Sequence, residues 1–379
     1  MIRPDLPGPM RRRGPRPLML HLAPPGQPFL QAAPAGSPLP GELPPVWADP
    51  ALLAGIAAYR RHPWQRTLPD PPAVWTEGGI RLLDYGKDAA PGALPILFVP
   101  SLVNRAYVLD LLPDRSMLRW LAAQGLRPML LDWGWPGDAE RAMTLGEIII
   151  GPLDRAIAAA GVPVVLAGYC MGGLLTLAAA LRRTDLVRAL ALLATPWDFH
   201  AAGHGQARRL SAALPLVEPL LAATGTLPVD ALQTLFALPD PGAIAAKYRA
   251  FGRMDQAGEA ARDFVALEDW LNDGVPLGAR IAREALGVWY GDNAPGRGRW
   301  RVAGRIVDPA AISVPTFVAA PGRDRIVPPE SAMPLAGLIP GAVLHQPKAG
   351  HISMVAGPRA RDALWLPLLH WLQTLQRLM

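Results

Sequence analysis

The stretch that most limits what this chain can fold into is Pro163-Val164-Val165-Leu166-Ala167-Gly168-Tyr169-Cys170-Met171-Gly172-Gly173-Leu174-Leu175. A short apolar run, a glycine-flanked turn and a second apolar run predict a buried strand passing straight into a helix that ends near Arg182 and Arg183. Glycine stands two places before and two places after the middle of the turn. A side chain at either position would collide with the neighbouring strand or helix, so the turn is tight and its central residue is lifted out of the sheet. That residue is Cys170, the only cysteine among 379 residues. Whatever chemistry the chain performs is expected to begin there.

On both sides of this turn the sequence alternates strands with helices. Continuous apolar runs predict strands at 94–100, 129–133, 189–194, 314–320 and 342–345. Helices are expected at 114–124, 144–160 and 361–378, with Gly125 and Gly161 closing the first two. Ahead of them, residues 47–61 read as a helix with Leu52, Leu53, Ile56 and Tyr59 on one side. Val74-Trp75 and residues 80–85 read as a hairpin across Glu77-Gly78-Gly79. Strand–helix alternation implies right-handed crossovers and a mostly parallel sheet covered by helices on both faces. Between Pro196 and Ala311 the alternation stops and helical stretches dominate, among them 227–237, 258–271 and 277–289. The expected organisation is therefore a proline-rich flexible arm at 1–46, a first core part at 47–196, an inserted helical cap at 197–311 and a second core part at 312–379. No internal repeat is visible.

Composition excludes several classes. A hydrophobic share of 51% with 18% charged residues belongs to a chain that builds a sizeable core. A single cysteine excludes an internal disulfide and agrees with a reducing compartment, so a cytoplasmic location is the default expectation. No apolar run reaches the length of a transmembrane helix, and Met1-Ile2-Arg3-Pro4 with Arg11-Arg12-Arg13 is too proline-rich for a signal peptide. The net charge of +6 comes from arginines scattered over helices, not interleaved with aromatics, so no nucleic-acid groove is expected. Such a surface also suits an anionic, nucleotide-bearing thioester.

A nucleophile on such a turn needs a base, and the base needs an orienting acid. Asp324, in Pro321-Gly322-Arg323-Asp324-Arg325-Ile326-Val327-Pro328-Pro329, directly follows a strand, at the carboxyl edge where open-sheet sites gather. His351, in Ala349-Gly350-His351-Ile352, follows the last strand. Nucleophile, acid, histidine is the chain order of the α/β-hydrolase triad. His351 is expected to take the proton of Cys170, and Asp324 to fix the tautomer of the ring. The oxyanion is expected to meet the backbone N–H of Met171 and that of Leu102, in the loop after the first buried strand. Alone, Cys170 reads as a small core residue, His351 as a structural histidine and Asp324 as a turn residue; only the three in this order are specific.

Cysteine in place of serine tilts the chemistry from hydrolysis to acyl transfer, because exchange between thioesters is nearly balanced in energy. Six other histidines show no ligand spacing: His200 and His204 stand four apart, but Gly203 and Gly205 argue against a helix between them. No metal and no cofactor are expected. Of twelve tryptophans, Trp133, Trp135, Trp197, Trp270, Trp289 and Trp300 are placed to line an apolar acyl channel if they are not simply core.

From about residue 74 to 358 the chain resembles the polyhydroxyalkanoate synthases, α/β-hydrolase-fold acyltransferases with a cysteine nucleophile. The similar motifs are Asn104-Arg105-Ala106-Tyr107-Val108-Leu109-Asp110-Leu111, Pro113-Asp114-Arg115-Ser116, Leu131-Asp132-Trp133-Gly134-Trp135-Pro136 and Gly168-Tyr169-Cys170-Met171-Gly172-Gly173. Thr195-Pro196-Trp197-Asp198-Phe199, Val307-Asp308, Asp324-Arg325-Ile326-Val327-Pro328-Pro329 and Gly350-His351-Ile352 follow in order. The short length is closer to the two-subunit synthases than to the long single-subunit ones. The resemblance implies a 3-hydroxyacyl-CoA substrate, with CoA entering only as part of it, and a triad of Cys170, His351 and Asp324. It also implies a homodimer formed through the cap, a second synthase subunit as partner, and residence at polyester granules in the cytoplasm. Arg325 stands where many members carry histidine, which leaves two acceptors open: a hydroxyl of another acyl unit, or water in a thioesterase or esterase. A granule-bound scaffold with a silent site is the non-enzymatic alternative.

Overall fold

In the computed structural model, which describes residues 12–18, 49–201, 203–237 and 240–378, the apolar runs assemble into one eight-stranded sheet. Its strands are β1 (Ala73–Glu77), β2 (Ile80–Asp84), β3 (Pro95–Val99), β4 (Arg127–Asp132), β5 (Val164–Tyr169), β6 (Val187–Leu193), β7 (Thr316–Ala319) and β8 (Val343–His345). They lie in the order β1-β2-β4-β3-β5-β6-β7-β8. The expected hairpin is β1 and β2, and β2 runs antiparallel to β4 as well. Every other pairing is parallel. Every residue of β5 is buried, as required of a central strand covered on both faces. This is the α/β-hydrolase architecture expected from the strand–helix alternation.

The helices depart from expectation at identifiable residues. The helix expected from 114 starts instead at Met117 and runs to Ala123. Ser116 caps it by accepting the Arg119 N–H at 3.1 Å, and Asp110–Leu112 and Arg115–Ser116 form a small hairpin just before it. The helix expected at 144–160 opens with a capping box between Thr144 and Glu147. It then widens into a π turn at Ile149–Leu153, where Pro152 supplies no N–H, and resumes as Asp154–Ala159.

The chain clusters into two compact units, one within Met1–Arg66 and Asp230–Asp273, the other within Thr67–Val229 and Gly274–Met379. The stretch 197–311 thus contributes to both, its middle part clustering with the N-terminal residues. In the smaller unit, Leu52, Ile56 and Tyr59 of the helix Pro50–Arg61 pack against Tyr248 and Phe251 of Pro241–Phe251 and against Ala261 and Val265 of Glu259–Asn272. Most of the expected arm at 1–46 lies outside the described residues. Within 12–18, Arg12 Nε donates to Asp269 Oδ1 at 2.7 Å and Arg16 Nε to Asp230 Oδ1 at 2.7 Å. The larger unit holds the whole sheet, the three expected site residues and the loops that carry them.

Candidate active site

β5 ends at Tyr169, and the next residue is forced into an unusual backbone. Cys170 has φ +56° and ψ −127°, a region that L-residues avoid. Holding a side-chain-bearing residue there costs on the order of 1–3 kcal/mol, so neighbouring contacts must fix it. Two hydrogen bonds do: the Cys170 N–H donates to Leu193 O at 2.8 Å, at the end of β6, and the Gly173 N–H donates back to Cys170 O at 2.9 Å. The glycines on either side are there for space. A Cβ on Gly168 would stand 2.4 Å from Gly173 Cα, and one on Gly172 would stand 2.1 Å from Val99 O and 2.6 Å from Pro100 O. The helix Met171–Ala180 therefore packs its first turn directly on the backbone at the end of β3.

That contact brings the two expected oxyanion donors onto touching segments. Met171 is the first residue of the helix, and its N–H belongs to the positive end of the helix. Leu102 lies two residues beyond Pro100 and is 8% exposed. The loop is fixed from two further directions: Trp133 Nε1 donates to Pro100 O at 3.1 Å and the Val275 N–H donates to Val103 O at 3.4 Å.

The acid and the base come from the loops after β7 and β8. Asp324 Oδ1 accepts the N–H groups of Ile326 at 2.8 Å and Val327 at 2.9 Å, which aims Oδ2 outward from its turn. His351 begins the short helix His351–Ala356, and its Nδ1 donates to Asp324 Oδ2 at 2.6 Å. Both side chains are almost fully buried. Cys170 is partly exposed and packs beside Ala320, Val327 and Ala332 of the Asp324 loop region, near enough for its charge to act on the His351 ring. Burial alone would pull the pKa of His351 down. The negative charges of Cys170 and Asp324, with hydrogen bonds to both, outweigh it and raise the ring to about 10. The three residues expected from separate parts of the chain are thus gathered in one place, and the ring between the other two strongly favours its protonated form.

One tyrosine that the motifs do not single out joins them, and a second feels the charge of Cys170. The Tyr169 ring lies 5.1 Å from that of His351, and its hydroxyl donates to His351 O at 3.2 Å, which seats the imidazole. Burial, followed by the charge on Cys170, pushes the Tyr290 phenol upward and keeps it a donor. Tyr169 is adjacent to the nucleophile in sequence, which is a signal of position only; nothing in the sequence points to Tyr290. His200 and His204 do not share a helix: one helix starts at His204, and His200 Nε2 pairs with Tyr290 O at 2.9 Å. Among the described residues no group of three or more His, Cys, Asp or Glu side chains is placed to hold a metal ion. Nor is any helix there long and apolar enough to cross a membrane.

Comparison with known proteins agrees with this fold. A family model described as the alpha/beta hydrolase fold matches residues 95–358. The poly(3-hydroxyalkanoate) polymerase subunit PhaC of Allochromatium vinosum is 30% identical over 79% of this chain and 87% of its own length. The protein of the same name from Haloferax mediterranei is 29% identical over 79% of this chain, and the match spans 62% of that longer protein. Among solved structures, a putative non-heme bromoperoxidase from Mycobacterium tuberculosis superposes with a TM-score of 0.50 at 18% identity. It covers 78% of this chain and 97% of its own, and the likeness is one of fold alone.

Proposed function

The chain belongs to the poly(3-hydroxyalkanoate) polymerase family of the α/β-hydrolase superfamily, and on that footing we propose that it transfers 3-hydroxyacyl groups from CoA thioesters to a growing polyester. The observation that carries the proposal is a lone cysteine held at positive φ, beside a histidine that is itself bonded to a buried aspartate at 2.6 Å.

In the first half-reaction Cys170 Sγ attacks the thioester carbonyl carbon while His351 holds the proton taken from the sulfur. The S–C bond to Cys170 forms, the C–S bond to CoA breaks, and His351 delivers the proton to the departing CoA thiolate. Asp324 keeps the ring oriented and stabilises its charge. The N–H groups of Leu102 and Met171 receive the developing oxyanion, each worth roughly 10²–10³ in rate by analogy with other acyl transfer sites. In the second half-reaction the hydroxyl of another acyl unit gives its proton to His351 and attacks the acyl carbon, and Cys170 Sγ leaves and is reprotonated. CoA enters as part of the substrate and leaves as the free thiol, and no further cofactor takes part. Two relatives are named as polymerase subunits, which supports work alongside a second subunit; a homodimer at polyester granules in the cytoplasm belongs to the same proposal.

The test is product analysis with purified protein and 3-hydroxybutyryl-CoA. Free CoA together with insoluble polyester is the expected result. Free CoA with only soluble hydroxy acid would make water the acceptor and the protein a thioesterase.

A further inference from the structure

The loops that carry Asp324 and His351 leave the sheet side by side. β7 and β8 pair in parallel, and hydrogen bonds between their chains continue past the strand ends. The Ala320 N–H donates to His345 O at 2.9 Å, the Gly322 N–H to Pro347 O at 2.9 Å and the Arg323 N–H to Ala349 O at 3.0 Å. Lys348 lies between the two carbonyls that Gly322 and Arg323 engage, so its backbone stands about one strand spacing, ~4.8 Å, from theirs. Arg323 immediately precedes Asp324, and Lys348 stands three residues before His351.

Both cations are exposed. Among the described residues neither side chain has a hydrogen-bond or ion-pair partner. Asp324 is the only acid on either loop, and its Oδ2 already accepts from His351 at 2.6 Å; Glu330 follows in the next short helix. The rim beside the base thus carries two positive charges that the triad does not use.

The direction of the substrate arm follows from the reaction proposed above. The acyl oxygen turns to the N–H groups of Leu102 and Met171. The sulfur of CoA takes its proton from His351 and so departs on the side of the ring. The pantetheine arm leads away on that side, towards the rim formed by the two loops, and carries the phosphates at its far end. A guanidinium matches a phosphate with two parallel donors, and an ammonium adds a mobile point charge.

We propose that Arg323 and Lys348 bind the phosphate groups of the CoA thioester. The assignment rests on the acyl-transfer reading and adds to it the residues that tell CoA from a shorter carrier of the same acyl group. A contact at the rim holds ground state and transition state alike, so it acts on KM more than on kcat.

The experiment measures kcat/KM for thiol release from 3-hydroxybutyryl-CoA and from 3-hydroxybutyryl-pantetheine, which offers the same thioester without a phosphate. The wild type favours the CoA thioester by tenfold or more. That preference shrinks as KCl rises, because exposed charges are screened over about 8 Å at physiological ionic strength. Arg323→Gln combined with Lys348→Gln lowers the CoA-to-pantetheine ratio about tenfold, mainly through KM for the CoA thioester. Lys348→Glu alone lowers it further than Lys348→Gln alone, so the assignment stays testable if the double variant folds poorly. A ratio unmoved in these variants, even where both rates fall together, overturns the phosphate assignment alone. Thiol release from neither substrate by the wild type overturns the acyl-transfer reading, and the phosphate assignment with it.

Discussion

Replacing Asp324 with asparagine is a perturbation whose consequence follows from bond accounting. Oδ1 accepts two backbone N–H groups, those of Ile326 and Val327, and Oδ2 accepts Nδ1–H of His351. In the asparagine variant the amide oxygen keeps the two backbone donors, since the NH2 group cannot accept them. The NH2 group then faces Nδ1 and requires that nitrogen to be an acceptor, which moves the ring proton to Nε2. A ring in that tautomer cannot take the Cys170 proton, and the carboxylate charge that helps raise its pKa is gone. The same substitution in a Ser-His-Asp site lowers kcat about 10⁴-fold, or about 5.4 kcal/mol at 1.36 kcal/mol per tenfold. We expect kcat/KM for CoA release from 3-hydroxybutyryl-CoA to fall by about 10³–10⁴-fold on that scale. The melting temperature should move by only a few degrees, because the two turn bonds survive. A loss smaller than about tenfold in a folded variant would refute the reasoning, since ring orientation would then not govern proton transfer.

Other consequences are equally direct. Gly172→Ala places a Cβ 2.1 Å from Val99 O and 2.6 Å from Pro100 O, both fixed backbone; thermal unfolding should report a loss of about 1–3 kcal/mol or more, with activity reduced as the Leu102 loop shifts. Tyr169→Phe removes one hydrogen bond to a buried carbonyl, His351 O, and should cost about 1–3 kcal/mol by denaturant titration. The pKa of His351 is raised on folding, so its contribution to stability is full below about 6.5 and is lost as pH rises through about 10. Chemical unfolding across that window should show the decline. In Cys170→Ala the ring loses one of the two negative charges that raise it, and an NMR titration should find its pKa lower than in the wild type.

The sheet was legible because its strands are continuous apolar runs, and the grouping of the candidate site residues because each follows a strand in a fixed order. β5 to Cys170, β7 to Asp324 and β8 to His351 are local readings, and the structure brings those three loops together. Helix boundaries were less legible. The Ser116 cap moves one start by three residues, and Pro152 converts part of another helix into a π turn. Helices at Leu214–Thr224 and Pro241–Phe251 carry proline in their first turn, which a reading of proline as a breaker passes over. What sequence does not disclose at all is contact made at long range. The Tyr169 hydroxyl meets a carbonyl 182 residues away, and Trp133 and Val275 close on the same loop from distant parts of the chain. Residue type predicts neither.

Acyl transfer by this chain requires covalent chemistry at Cys170. Rapid mixing of the protein with 3-hydroxybutyryl-CoA, acid quenching and intact-mass analysis with peptide mapping reads it directly. One or more hydroxybutyryl units are expected attached at Cys170 in the wild type, with no acylation and no CoA release in Cys170→Ala. CoA release that persists in Cys170→Ala, or acylation mapped to another residue, would contradict it.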